Sequence, residues 1–523
     1  MIRFKARKAE VARTKRERRP RVAKPVHSEA QDVADLQSFG YQPQLGRSLG
    51  RFSAFAAGFS YLSILTGTTQ TFYLGYDLGG PAFFWTWPLV FLGQFTVALC
   101  FAELAAHYPL AGGVYQWSKY TSAGKLGWLA GWVFLGCLIV SLVAVVLALQ
   151  AALPQLIPAL QVVGDAANPA DAARNAVILG LGLVAFSTLI NTLGVKLMAR
   201  LNNVGVFAEL LGATFLVVFL FVMAKRGPEV LFIGARSSGK LGSIGSFFAA
   251  SLSASYVMYG FDTAGTLAEE THNPRRTAPR AILLALGSAA FFGILLILGG
   301  LMAAENLNAP ELTSPSGGFA SIVMGRLGGS LGRAFLAVIV LAITVCALAV
   351  HAGAVRLIFA MARDQVLPGW RFLSVVNGPL KIPARASCVV GAIAAVLLLV
   401  NLGQPKVIEL AASVAIVWAN LAYLMVTVPL LILRLKGWPD ASGGGDGFRL
   451  GAWGLPLNLI AVIWGTVLVV NVAWPRAEIY GEGLTERFVP GGSTLLLILS
   501  GLLVHAFRSG QWTFAGTRKG TER

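Results

Sequence analysis

Charge is scarce in this chain: only 13% of its 523 residues are Asp, Glu, Lys or Arg, about half the share of an ordinary soluble domain. Apolar residues make up 56% and run on for twenty or more at a stretch, which excludes a soluble enzyme and points to lipid. Cysteine is scarce as well. Cys100, Cys137, Cys346 and Cys388 show no CxxC or paired spacing, so neither a disulfide scaffold nor a zinc site is indicated. The five histidines are scattered too, and no metal or cofactor is expected. Alternating ten-residue segments, the signature of a transmembrane β-barrel, are missing. So are a nucleophile–base pair and a phosphate loop, and the chain does not read as an enzyme.

What is present reads as an all-α membrane protein with twelve transmembrane helices. The apolar spans fall near 52–76, 83–106, 127–153, 175–194, 203–224 and 246–267, then near 281–303, 334–361, 386–402, 407–434, 456–474 and 491–507. Between spans seven and eight, the short apolar stretch GGFASIVMG reads as a re-entrant or surface helix. Eleven of the 42 Lys and Arg lie in the first 24 residues. A nucleic-acid partner is a poor explanation for them in a membrane protein. The positive-inside rule and attraction to anionic lipid headgroups account for them better, and without an apolar h-region they are no cleaved signal. Residues 1–50 are therefore expected to be a basic, largely disordered cytoplasmic leader. With that leader inside, Lys and Arg divide 32 inside to 10 outside, which places both termini in the cytoplasm. The loop at 225–240, with Lys225, Arg226, Arg236 and Lys240, runs against this trend.

Two spans are poor helices in their middles. The first is interrupted by Gly58, Ser60, Ser63, Thr66, Gly67, Thr68 and Thr69, and the sixth by Ser253, Ser255, Gly260, Asp262 and Gly265. Backbone leaves helical geometry at membrane depth only where it lines a cavity or is buried in protein. Spans one and six also hold corresponding places in two five-helix halves. Paired interruptions of this kind point to an inverted-repeat transporter with its site at the midplane, against the plainer reading of small residues that pack helices.

Asp262 lies within the sixth span, where a carboxylate costs at least about 2.5–3.5 kcal/mol. It reads as a proton carrier or a partner for a substrate amine, with a structural acid tied to nearby hydroxyls as the alternative. Glu209 in span five is balanced between a coupling role and a packing hydrogen bond. Glu103, near the end of span two, reads as structural, and His351 in span eight as a packed histidine.

These residues sit in longer stretches that resemble one family. GGP at 79–81, FAELAAHYPLAGGVYQWS at 101–118, YGFDTAGTLAEETHNPRRTAPRAI at 259–282 and RLIFAMARDQVLP at 356–368 are similar to the amino acid–polyamine–organocation superfamily of permeases. LGAWGLPLNLIAVIW at 450–464 and AWP at 473–475 resemble its amino acid/choline branch, which includes GABA, choline and amino-acid permeases. The resemblance implies a LeuT-like 5+5 inverted repeat over residues 51–434. Two peripheral helices at 435–507 and a cytoplasmic tail at 508–523 complete the chain. It further implies that amides of Leu65, Thr66, Gly67 and Thr68 hold a substrate carboxylate at the first break. Tyr256, Met258, Tyr259 and Gly260 would face the substrate at the second, with Asp262 and Glu209 as coupling candidates. The superfamily's Gly-Ser-Gly turn reads LeuThrGly here. No lysine stands in span five in lieu of sodium, so sodium coupling stays open, with protons or exchange preferred.

The expected function is secondary active transport of an amino acid or related amine across the cytoplasmic membrane. A sensor built on a permease scaffold, binding without flux, is the alternative.

Overall fold

A computed structural model describes residues 29–516, apart from 167, 234–241, 316, 377, 379, 401, 403–405 and 440–446. The basic run at the N-terminus, Arg236 and Lys240, and the last seven residues lie outside the described residues. Two compact units are present, Met1–Pro43 and Gln44–Arg523. The first contributes the short helix Glu29–Ser38.

All regular secondary structure among the described residues of the second unit is helical, save for one isolated bridge between Leu49 and Thr271. Nine helical stretches are long and apolar enough to cross a membrane: Arg51–His107, Gly127–Leu156, Pro169–Leu193, Val195–Val222, Pro274–Ala303, Gly329–Arg363, Val407–Leu435, Gly451–Ala473 and Val489–Phe507. The first of these holds the helices Arg51–Leu62, Ile64–Gly79 and Thr86–His107. Shorter apolar helices cover Ile244–Val257, Gly318–Leu327 and Ala384–Val400.

Local chemistry sets several boundaries. The Asn168 side chain accepts from the Ala170 and Asp171 amides ahead of Pro169, an N-cap followed by proline. Gly194, at φ +129°, separates Pro169–Leu193 from Val195–Val222, a conformation open to glycine and strained for other residues. Along Val195–Val222, the residues Val204, Phe207, Leu211, Phe215, Val218 and Val222 form an exposed apolar stripe at helical spacing. On the opposite face Gly205, Glu209, Ala213, Leu216 and Leu220 are buried. In a bilayer the stripe meets lipid, and Glu209 points into the protein.

The GGFASIVMG stretch forms the helix Gly318–Leu327, with Phe319, Ala320, Ile322 and Val323 buried. It folds back onto Ile64–Gly79, where the Phe319 and Phe72 rings lie 5.7 Å apart.

Lys225 and Arg226 both pair at the end of Pro274–Ala303. Arg226 donates to the Leu301 and Ala304 carbonyls at the end of Pro274–Ala303, where a helix C-terminus favours a cation. Lys225 and Arg326 both pair with Glu305, at 3.1 and 3.0 Å. The hydrogen bond and charge of Lys225, then the charge of Arg326, hold this exposed carboxyl below its ordinary range.

Candidate substrate site

Both interrupted spans are broken, and the breaks face each other. In the first, the helix Arg51–Leu62 stops and Ile64–Gly79 begins, with Ser63 between them at φ 29°, ψ 87°. A non-glycine residue held there costs on the order of 1–3 kcal/mol, and its surroundings compensate. The Ser63 hydroxyl donates to Glu209 Oε1 at 3.0 Å and lies 2.6 Å from Thr66 Oγ1. The break therefore falls three residues before the Thr66–Gly67 turn that the family pattern suggests.

Beginning a helix at Ile64 leaves its first amides without intrahelical partners. One of them is already used: the Leu65 amide donates to Glu209 Oε1 at 3.0 Å. A carboxylate from Val195–Val222 thus sits on the positive end of the half-helix Ile64–Gly79. Its other oxygen, Oε2, is buried and has no hydrogen-bond partner among the described residues. The Gly67 amide bonds back to the Ser63 carbonyl at 2.9 Å. Thr68 is fully buried, with its hydroxyl unpartnered among the described residues.

In the sixth span, Gly242–Val257 ends and a single short turn, Thr263–Thr266, follows Asp262. Gly260 sits between them at φ +93°, and a Cβ there would stand 1.9 Å from two carbons of the Tyr61 ring. Only glycine fits both the backbone and that close approach. Tyr423, from Val407–Leu435, staples the break: it accepts from the Gly260 amide at 2.8 Å and donates to Asp262 Oδ1 at 2.5 Å. Asp262 is fully buried beside it.

Between the breaks lies a cavity of about 20 Å³, lined by Ser63, Thr66, Gly67, Tyr256 and Tyr259, with Tyr61, Ser141 and Cys346 among its other walls. That volume holds about one water, whereas small-molecule pockets run to about 300–1,000 Å³. The site is contracted, and a ligand the size of an amino acid requires its walls to part. The aromatic wall is ordered by edge contacts of Tyr259 with Tyr61 and Tyr256, at 5.9 and 6.1 Å. Ser141 lies 2.9 Å from the Tyr259 hydroxyl. The Tyr256 hydroxyl has no partner among the described residues. Thr66, Gly67, Tyr256 and Tyr259 thus meet at one cavity; Leu65, Thr68, Met258 and Gly260 flank it, buried. No group of three His, Cys, Asp or Glu suited to a metal occurs among the described residues.

The two ends of the bundle differ. On the Ser63 to Gly79 side, a cavity of about 650 Å³ reaches Gln70, one helical turn from Thr66 and Gly67. The other end is sealed. Arg363 grips Glu269 with two hydrogen bonds of 2.7 and 2.8 Å, and Arg356 grips Glu270 at 3.1 and 3.2 Å. Lys119 pairs with Asp364 at 2.6 Å. The Ser48 and Leu49 amides donate to the Glu270 carbonyl at 2.9 and 2.8 Å. Glu103 is engaged by Arg434 and by the Leu450 amide, and His351 lies between Ser187 and Ser387. Both are fully buried and hydrogen-bonded.

Two facing helix breaks around a small cavity, with a larger cavity toward one end and ion pairs at the other, fit a membrane permease. The comparisons give the family: a family model described as amino acid permease matches residues 49–486. The chain belongs to that family, within the amino acid–polyamine–organocation superfamily. Among its relatives is "Amino-acid permease BAT1" of Arabidopsis thaliana, 28% identical over 84% of this chain and 88% of the relative. Its homolog in Oryza sativa subsp. japonica is 26% identical over 90% and 94% of the two chains. The "Methylthioribose transporter" of Bacillus subtilis is 26% identical over 71% and 77%.

Proposed function

We propose that the protein is a secondary active transporter that moves amino acids or related amines such as GABA across the cytoplasmic membrane. It works by alternating access, coupled to protons or to exchange. The observation that carries this reading is the Glu209 carboxylate on the Leu65 amide. In our reading that helix end receives the substrate carboxylate at the amides of Leu65 and Thr66, since the Gly67 amide is bonded to the Ser63 carbonyl and that of Thr68 lies inside the helix. Two carboxylates crowded at one helix terminus repel each other. Substrate therefore docks together with proton uptake on Glu209, which removes one of the charges. Binding and coupling become one event.

The substrate amine is received by the carbonyls around Met258–Gly260, between Tyr256 and Tyr259. Asp262 is the second coupling candidate, acting through Tyr423. Twelve membrane helices result when Arg51–His107 is read as two spans and the shorter Ile244–Val257 and Ala384–Val400 as one each. Residues 51–434 then form the inverted-repeat core, 435–507 the peripheral pair. The bundle of spans one, two, six and seven rocks against the rest. In this reading the ion-pair end and both termini face the cytoplasm, supported by the excess of Lys and Arg, with the basic leader against anionic headgroups. The 650 Å³ cavity then opens outward. The printed names of the relatives, amino-acid permeases and a methylthioribose transporter, support a small polar substrate.

The test is uptake of labelled amino acids, GABA and choline into proteoliposomes under an imposed pH gradient. Accumulation of one class, lost in Glu209→Gln, supports the reading; binding without flux under any gradient rejects it.

A further inference from the structure

Two small clusters of buried apolar side chains stand apart from the main core, and each contains a leucine from the stretch just before the first span. Leu49 is 1% exposed and shares its cluster with Ala57, Leu267, Ile190, Met198 and Leu348. Leu45 shares the other with Ala111 and Phe359. Connecting segments generally run over the surface; this one drives two leucines, four residues apart, into the protein.

The backbone shows what holds them there. The Ser48 and Leu49 amides donate to the Glu270 carbonyl at 2.9 and 2.8 Å, and the His272 amide donates to the Leu49 carbonyl at 3.0 Å. Arg47 Nε donates to the Glu269 carbonyl at 3.4 Å. The stretch is thereby tied to the segment that follows the break in the sixth span. Several partners of its leucines lie elsewhere: Ile190 in Pro169–Leu193, Met198 in Val195–Val222, Leu348 and Phe359 in Gly329–Arg363.

Backbone ties and side-chain packing thus join different parts of the molecule. In the transport reading, residues 45–49 and 269–272 travel with spans one and six in the moving bundle. Ile190, Met198, Leu348 and Phe359 belong to spans four, five and eight, in the scaffold. Residues 269 and 270 also carry the carboxylates that Arg363 and Arg356 hold. Apolar constrictions gate by excluding water, which ion pairs alone do poorly.

We propose that Leu45 and Leu49 are the plugs of the sealed end: leucines carried by the moving bundle, seated in the scaffold and withdrawn when this end opens. The tie between 48–49 and 270–272 holds through the cycle, and the seats are what empty. How firmly the two leucines seat sets the balance between the two access states. The gating role rests on the transport reading above; the seating of the leucines does not.

The experiment is double electron–electron resonance on the full-length protein in nanodiscs. Spin labels are placed at Arg280→Cys on span seven and Arg200→Cys on span five, both exposed. The background is Cys388→Ser, because Cys388 is exposed and the other three cysteines are buried. Leu49→Ala is expected to raise the share of a longer distance about tenfold or more, and Leu45→Ala with Leu49→Ala to raise it further. Leu49→Met keeps the volume and the native distribution. Leu468→Ala empties an equally buried position, 2% exposed in Gly451–Ala473, and leaves the distribution unchanged. A misfolded chain gives a broad spread instead of a second discrete distance; where Leu49→Ala does so, the milder Leu49→Val decides, with a smaller shift in the same direction. An unchanged distribution in the folded Leu49 variants, or the same shift in Leu468→Ala, overturns the proposal. Uptake into proteoliposomes separates the two readings. A shifted distribution with no flux by the native chain leaves the plugs standing as a closure and removes the transporter; normal flux with an unshifted distribution does the reverse.

Discussion

At the scale of single residues, Glu209 and Asp262 are built to be told apart. Each accepts through one oxygen, Glu209 from Ser63 and Leu65 and Asp262 from Tyr423. An amide side chain preserves that acceptance and removes the proton. Glu209→Gln is expected to fold, to keep exchange, and to lose pH-driven accumulation about tenfold or more; Asp262→Asn is expected to lose less. The comparison is read as steady-state accumulation under a fixed gradient, and the opposite ranking transfers the coupling role to Asp262. Gly260 has a different task. Gly260→Ala adds a methyl 1.9 Å from the Tyr61 ring at a φ that costs about 1–2 kcal/mol for an L-residue. Loss of folded yield or of substrate binding follows, and normal uptake would show that the break is more adaptable than drawn here.

At the scale of elements, the seal of one end depends on two buried ion pairs between residues 269–270 and the end of Gly329–Arg363. Removing one partner of such a pair leaves a charge stranded, at about 3–5 kcal/mol. Arg356→Met is therefore expected to lower thermal stability strongly, and Arg356→Met with Glu270→Gln to recover most of the loss. A double-mutant cycle measures the coupling; simple additivity would mean the pair does not lock this end. These pairs were invisible to local pattern reading. Glu269 and Arg363 are 94 residues apart, and their stretches stood out in the sequence only by family likeness. The helix breaks were legible from the density of Gly, Ser and Thr, because such residues weaken a helix wherever they cluster. Their exact residue was not. The chain leaves helical geometry at Ser63 because a carboxylate 146 residues away satisfies the freed groups there, and no local window contains that partner.

At the scale of the whole molecule, a large cavity toward one end, a contracted central cavity and an ion-paired far end suit one state of the proposed alternating-access cycle. The central claim is that the solute carboxylate and a proton arrive together at the helix end held by Glu209. The most direct test is accumulation of a labelled amino-acid panel in proteoliposomes with an imposed pH gradient, with and without Na⁺, comparing the native chain with Glu209→Gln. The account predicts saturable, Na⁺-independent accumulation that collapses with a protonophore and is absent in the variant. Accumulation that ignores the protonophore, or that survives intact in Glu209→Gln, would contradict it.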